Sequence, residues 1–166
     1  YVEACLTALD VRWGMTHSEV KVQQDGSIRL MEVNVRQQND NFGPLCDACV
    51  GYNAMELCLS AYLEESGLFE AVPNRPSLRY HGMIVNLACF VEGTVSEIHH
   101  IAEIEQLESV QAMEIYPGFD VGQTIRRTVD IRSDCGWVHL VNESEDDMMC
   151  DYQKICEWMP TIFDIK

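Results

Sequence analysis

The sequence predicts an α/β fold of the α+β kind: an antiparallel sheet with flanking helices, then a β-rich tail. Three observations lead there. Two short alternating runs meet at Gln24-Asp25-Gly26-Ser27, and Asp-Gly between such runs is the strongest short-range hairpin signal. Apolar residues recur at helical spacing, as in Ala54, Leu57, Cys58 and Ala61. Beyond Pro73-Asn74-Arg75-Pro76 the pattern changes from helices to short strands. The turn-rich connector is the best boundary in the chain, giving expected domains at 1–72 and 77–166.

The elements follow in order. Residues 1–9 have helical periodicity and little that breaks a helix. Strands are expected at about 16–22 and 28–35, then a polar loop at 37–43. A helix starting near Leu45 or Asn53 runs to Leu63, with Tyr52 and Asn53 at its entry and cap, and stops near Ser66-Gly67. The apolar run 82–91 is expected to turn at Glu92-Gly93 into a strand over 94–101. A helical turn at 103–107 precedes weak alternation over 110–116, broken at Pro117-Gly118. Strands at 124–131 and 137–141 flank Ser133-Asp134-Cys135-Gly136. Ser144 and Asp147 form a variant capping box before a helix through Trp158 that Pro160 ends.

The hairpin carries the chemistry. With Asp25-Gly26 as the turn centre, Gln24 pairs with Ser27, and Glu19 falls directly opposite Glu32. Opposed Cβ atoms lie roughly 5 Å apart, where like charges destabilise a ladder unless a cation sits between them. The strand period of two adds Lys21 to the face of Glu19, adds Asn34 and Arg36 to that of Glu32, and sets His17 opposite Asn34. Hard oxygen donors of this kind suit magnesium or manganese. In this register the same face also holds Ile28 and Leu30, so the plainer reading is a hairpin with one solvated face. Arg36 would then be an ion-pair partner of Glu19 or Glu32, Lys21 a solvated lysine and His17 a hydrogen-bonded strand-end residue. His99 and His100 alternate across a strand, cannot both face one metal, and are assigned no role.

The stretch Gly14-Met15-Thr16-His17-Ser18-Glu19-Val20-Lys21, followed by Leu30-Met31-Glu32-Val33-Asn34-Val35-Arg36, resembles the metal-binding end of ATP-grasp ligases. It is most similar to the carboxylate–amine ligase branch that contains L-amino acid ligases and carnosine synthase. The resemblance is specific over residues 14–63, where Gly51-Tyr52-Asn53-Ala54 looks like the helix opening after the metal site, and weaker over 81–158. It implies the C-terminal lobe of an ATP-grasp fold, with ATP and Mg2+ (or Mn2+) as cofactors. Glu19, Glu32 and Asn34 would be the metal ligands and Arg36 would contact the transferred phosphoryl group; Lys21, placed on the same face by strand spacing, would balance the acidic pair as a cofactor-binding residue. Such ligases phosphorylate a carboxylate with ATP, and an amine then displaces phosphate from the acyl-phosphate. The expected substrates are a small carboxylate and an amine, amino acids among them. The chain departs from many relatives after Arg36, where Gln37-Gln38-Asn39-Asp40-Asn41-Phe42 replaces a glycine-containing loop that faces substrate. Two other classes stay open: a non-catalytic binding or regulatory module that keeps the fold, and another ATP-grasp chemistry of the carboxylase or carbamoyl-phosphate type.

Composition fits a partial active site. The 166 residues carry 27 acidic against 11 basic side chains, a net charge of −16. That argues against nucleic acid or an anionic membrane as partner. It also leaves ATP phosphates in need of metal ions and basic groups supplied from elsewhere. No apolar run approaches the roughly 20 residues that span a bilayer. The chain starts at Tyr1 within a helical pattern and is expected to be a fragment. The glycine-rich loop, phosphate lysines and adenine hinge would then belong to a missing N-terminal part of the same protein. Eight scattered cysteines read as free thiols of a reducing, cytoplasmic compartment. Cys46 and Cys49 form a lone C-x-x-C with no second pair to complete a zinc site, and read as small packed residues before a helix.

Overall fold

The computed structural model describes residues 1–38, 41–63, 66–73 and 75–166. Asn39 and Asp40 of the expected substrate loop, and Asn74 of the expected connector, lie outside them. The chain divides into two compact units. The first is Tyr1–Asp47 with Tyr52–Pro76, and the second is Ala48–Gly51 with Ser77–Lys166.

The first unit contains α1 (Val2–Ala8), the antiparallel hairpin β1 (His17–Val22) and β2 (Ile28–Asn34), and the helices α3 (Ala54–Tyr62) and α4 (Ser66–Ala71). Helix α2 (Phe42–Val50) starts in this unit and ends in the second. Instead of one helix starting near Leu45 or Asn53, two helices meet at Gly51, whose φ of +86° ends the first. Asn53 caps α3 by accepting from Glu56 N at 3.0 Å, and its amide donates to both Asp47 carboxylate oxygens at 2.8 and 2.9 Å. The expected helix stop at Ser66-Gly67 is instead the start of α4. Cys46 and Cys49 lie inside α2, not before it, and burial pushes the Cys49 thiol up.

The second unit holds two three-stranded antiparallel sheets. One runs β3 (His81–Leu87), β7 (Gly136–Asn142), β5 (Val110–Ile115); the other runs β6 (Thr124–Ile125), β4 (Gly93–Ile98), β8 (Phe163–Ile165). The expected hairpin between 82–91 and 94–101 does not form. After Leu87 the backbone of Cys89 bonds to Thr128 in both directions, donating to its Oγ1 at 2.8 Å and accepting from its N–H at 2.9 Å. The expected strand 124–131 keeps only two residues. Beyond Ile125 the chain turns, with Ser133 Oγ accepting from the N–H groups of Val129 and Asp130.

Between these strands lie α5 (Ile101–Glu105) and α6 (Glu145–Trp158). Ser144 caps α6 through Asp147 N, and three acids in its first turn suit the positive end of the helix dipole. Its buried residues Met148, Asp151 and Ile155 form one stripe. Pro160 sits in a 3-10 turn that feeds β8, a strand the sequence pattern did not announce. The hydrophobic core lies here, including Leu87, Ile104, Val138, Leu140 and Ile155, all fully buried. Burying each such side chain contributes about 1.5–3 kcal/mol. All eight cysteines are free thiols. Burial pushes the Cys135 thiol up to about 12, which removes it from thiolate chemistry.

Candidate metal-binding site

The hairpin turn holds one residue more than the two-residue centre expected. Gln23 N donates to Ser27 O at 2.8 Å, Gly26 N donates to Gln23 O at 3.0 Å, and Gly26 adopts φ +78°. Gln24-Asp25-Gly26 is therefore a three-residue connection with glycine in the left-handed position. Hydrogen bonding from the Ser27 side chain, and from Ser27 N at 2.9 Å, holds the Asp25 carboxyl below the usual range. Next to the turn, Val22 pairs with Ile28, Lys21 with Arg29 and Val20 with Leu30.

The ladder then shifts by one residue, and Glu19 pairs with Glu32, Ser18 with Val33 and His17 with Asn34. Met31 is the extra residue of this β-bulge. The longer turn and the bulge cancel, so the expected Glu19/Glu32 opposition stands. The bulge corrects the composition of the face. Ile28 and Leu30 pair with Val22 and Val20, on the side away from Glu19 and Lys21, and Arg29 takes the place opposite Lys21. The face therefore presents opposed anions at Glu19 and Glu32 beside opposed cations at Lys21 and Arg29.

Both carboxylates are exposed, as are Lys21 and Arg36. Asn34 Nδ2 donates to Glu32 Oε1 at 2.6 Å. That orientation leaves the Asn34 carbonyl oxygen without a hydrogen bond among the described residues. Arg36 donates to Gln37 O at 2.9 Å and makes no ion pair with Glu19 or Glu32. Among the described residues, the buried His17 Nδ1 and Ser18 Oγ have no hydrogen-bond partner. Strand β2 is tied to α1 through Leu30 N, which donates to Tyr1 Oη at 2.9 Å.

The donor set fits a hard divalent cation: two opposed carboxylates needing a positive charge between them, and an amide oxygen free to coordinate. A cavity of about 330 Å³ is lined by Gln37, Gln38, Phe42, Asp47, Asn53 and Glu56. Gln37, Gln38 and Phe42 come from the loop expected to face substrate. Neither strand spacing nor a motif points to Asp47 or Glu56, and the two-residue turn places Arg29 on the opposite face. A phase slip in the apolar pattern of β2, Ile28 and Leu30 then Val33 and Val35, was the available signal for Arg29.

Comparison with solved structures places the chain in a known fold. No family model and no curated protein matches the chain. An L-amino acid ligase from Bacillus licheniformis superposes with a TM-score of 0.74 at 17% identity, over 99% of this chain and 39% of its own. A phosphoribosylglycinamide synthetase from Anaerococcus prevotii gives 0.72 at 12% identity, over 99% and 40%. An N5-carboxyaminoimidazole ribonucleotide synthetase from Thermotoga maritima gives 0.61 at 16% identity, over 98% and 39%. This chain spans about two fifths of the length of each. At such identities the likeness is one of fold, and the chain has the fold of the C-terminal part of ATP-grasp enzymes.

Proposed function

We propose that the chain carries the metal-binding half of the active site of an ATP-dependent carboxylate–amine ligase, which activates a carboxylate as acyl-phosphate and joins it to an amine. The observation that carries this reading is the cross-strand Glu19/Glu32 pair with Asn34 bonded to Glu32. Residues 1–72 are the metal-binding half, and 77–166 the β-rich remainder of the lobe. Glu19, Glu32 and the Asn34 carbonyl hold Mg2+ or Mn2+, which when bound neutralises phosphate charge and aligns the transferring group. Arg36 has a planar fork suited to bidentate contact with phosphoryl oxygens. Lys21, with Arg29 opposite, adds positive charge next to the carboxylates. Phosphoryl transfer needs such positioning and charge compensation more than covalent help from protein.

The cavity beside Gln37 and Phe42 suits a small substrate, with amino acids the first class to screen. The glycine-rich loop and phosphate lysines come from the preceding part of the full-length protein. The eight free thiols of residues 1–166 suit a reducing, cytoplasmic compartment, and no helix among the described residues is long and apolar enough to cross a membrane. The test is a phosphate-release screen of the full-length protein over pairs of amino acids, with Glu32→Gln as control. ATP- and amine-dependent release that is lost in Glu32→Gln is expected. Equal release by the variant rejects the role of Glu32, and no release over the whole screen favours a binding module that keeps the fold without turnover.

A further inference from the structure

The second unit carries another cluster of metal-ligating groups, which the ligase reading does not use. Glu97 on β4 and Asp164 on β8 are direct antiparallel partners, so two carboxylates again oppose each other across a ladder. His99 lies two residues beyond Glu97. Its Nε2 is 3.1 Å from Asp164 Oδ2 and 3.8 Å from Glu97 Oε2. All three ligand atoms lie within 4.8 Å of one another.

The backbone builds this arrangement. His99 N donates to Ile162 O at 2.8 Å, which continues the β4/β8 ladder past the end of β4. His100 then adopts φ +65° at the N-cap of α5. Its ring stacks on Trp158 with centroids 5.5 Å apart, and its Nε2 meets Thr161 Oγ1 at 3.3 Å. One imidazole is thus packed away while the other stays with the carboxylates.

The donors differ in kind from those of the hairpin. One imidazole nitrogen with two carboxylates suits zinc and its neighbours, whereas an all-oxygen set suits magnesium. Ligands about 2.0–2.2 Å from a tetrahedral ion stand roughly 3.3 Å from one another, close to the two distances that His99 already makes. Both carboxylates are exposed, which leaves a coordination position open to water.

We propose that Glu97, His99 and Asp164 bind a divalent transition-metal ion of the zinc class and so pin β8 to β4. Binding through His99 Nε2 displaces the proton that Nε2 donates to Asp164 Oδ2, and the metal-bound neutral imidazole carries its remaining proton on Nδ1. The site is independent of the ligase reading, and its failure leaves that reading untouched.

The test titrates the full 166-residue chain with zinc in excess magnesium, which occupies all-oxygen sites, and follows the imidazole nitrogens by NMR. The His99 Nε2 resonance moves, and Glu97→Gln and Asp164→Asn each weaken the response by about tenfold or more. Cobalt(II) added to the chain moves the same His99 signals and, unlike cobalt on the free cysteines, gives no thiolate charge-transfer band from this site. A His99 signal unmoved at saturating zinc overturns the proposal, as does an Asp164→Asn variant that titrates like the parent.

Discussion

Asp151 is a carboxylate only 4% exposed, in the middle of α6. Burial alone would raise its carboxyl, but Lys154 at 2.8 Å and the Ser109 N–H at 3.0 Å outweigh that and hold it below the usual range. A folded-state value below the unfolded one stabilises the protein above the unfolded pKa, near 3.9, and that contribution disappears as pH falls through the folded value. Asp151→Asn is expected to lose about 1–3 kcal/mol at neutral pH. It should also flatten the acid limb of the stability curve below about pH 4. Urea denaturation across pH checks both. Single residues were legible in the sequence where their chemistry repeats at strand spacing, as with Glu19, Glu32 and Asn34. His99 was not. Its partner Asp164 is 65 residues away on a three-residue strand, too short to leave a periodic trace.

The hairpin shows what decides an element. Asp-Gly serves both a two-residue turn and a three-residue turn ending in left-handed glycine, and the two differ by one register step. The apolar pattern discriminates, because only the observed register sets Val22 against Ile28 and Val20 against Leu30. The bulge at Met31 then returns the ladder to Glu19 against Glu32. A Cβ at Gly26 meets nothing within 4 Å, so Gly26→Ala costs only the left-handed backbone, about 1–2 kcal/mol. Amide exchange of Gln23 and Ser27 should speed up accordingly, with β3 and β7 unaffected. The failed pairing of 82–91 with 94–101 has a different origin. Local alternation identifies strands, but Thr128, distant in sequence, takes the hydrogen bonds of Cys89 that a hairpin would have used.

Across the whole molecule, apolar burial is uneven. Every residue of the hydrophobic core cluster belongs to the second unit, while Trp13, Met31, Val35 and Tyr62 of the first are exposed. A two-stranded hairpin with little core beneath it is marginal in water. Native-state hydrogen exchange should therefore protect β3, β7 and β5 far more than β1 and β2, with separate opening free energies. The fold class was legible in the sequence because alternation and helical spacing report burial directly. The division into two sheets was not, because it depends on contacts between distant segments. The proposed role of opposed Glu19 and Glu32 is to hold the metal that accompanies nucleotide phosphates. Its most direct test is water-proton relaxation of manganese with the full-length protein and ATP, comparing the parent with Glu19→Gln and Glu32→Gln. Enhanced relaxation by a protein–manganese–ATP complex is expected, weakened about tenfold or more by either variant; identical titrations by the parent and both variants would show that neither carboxylate holds the metal.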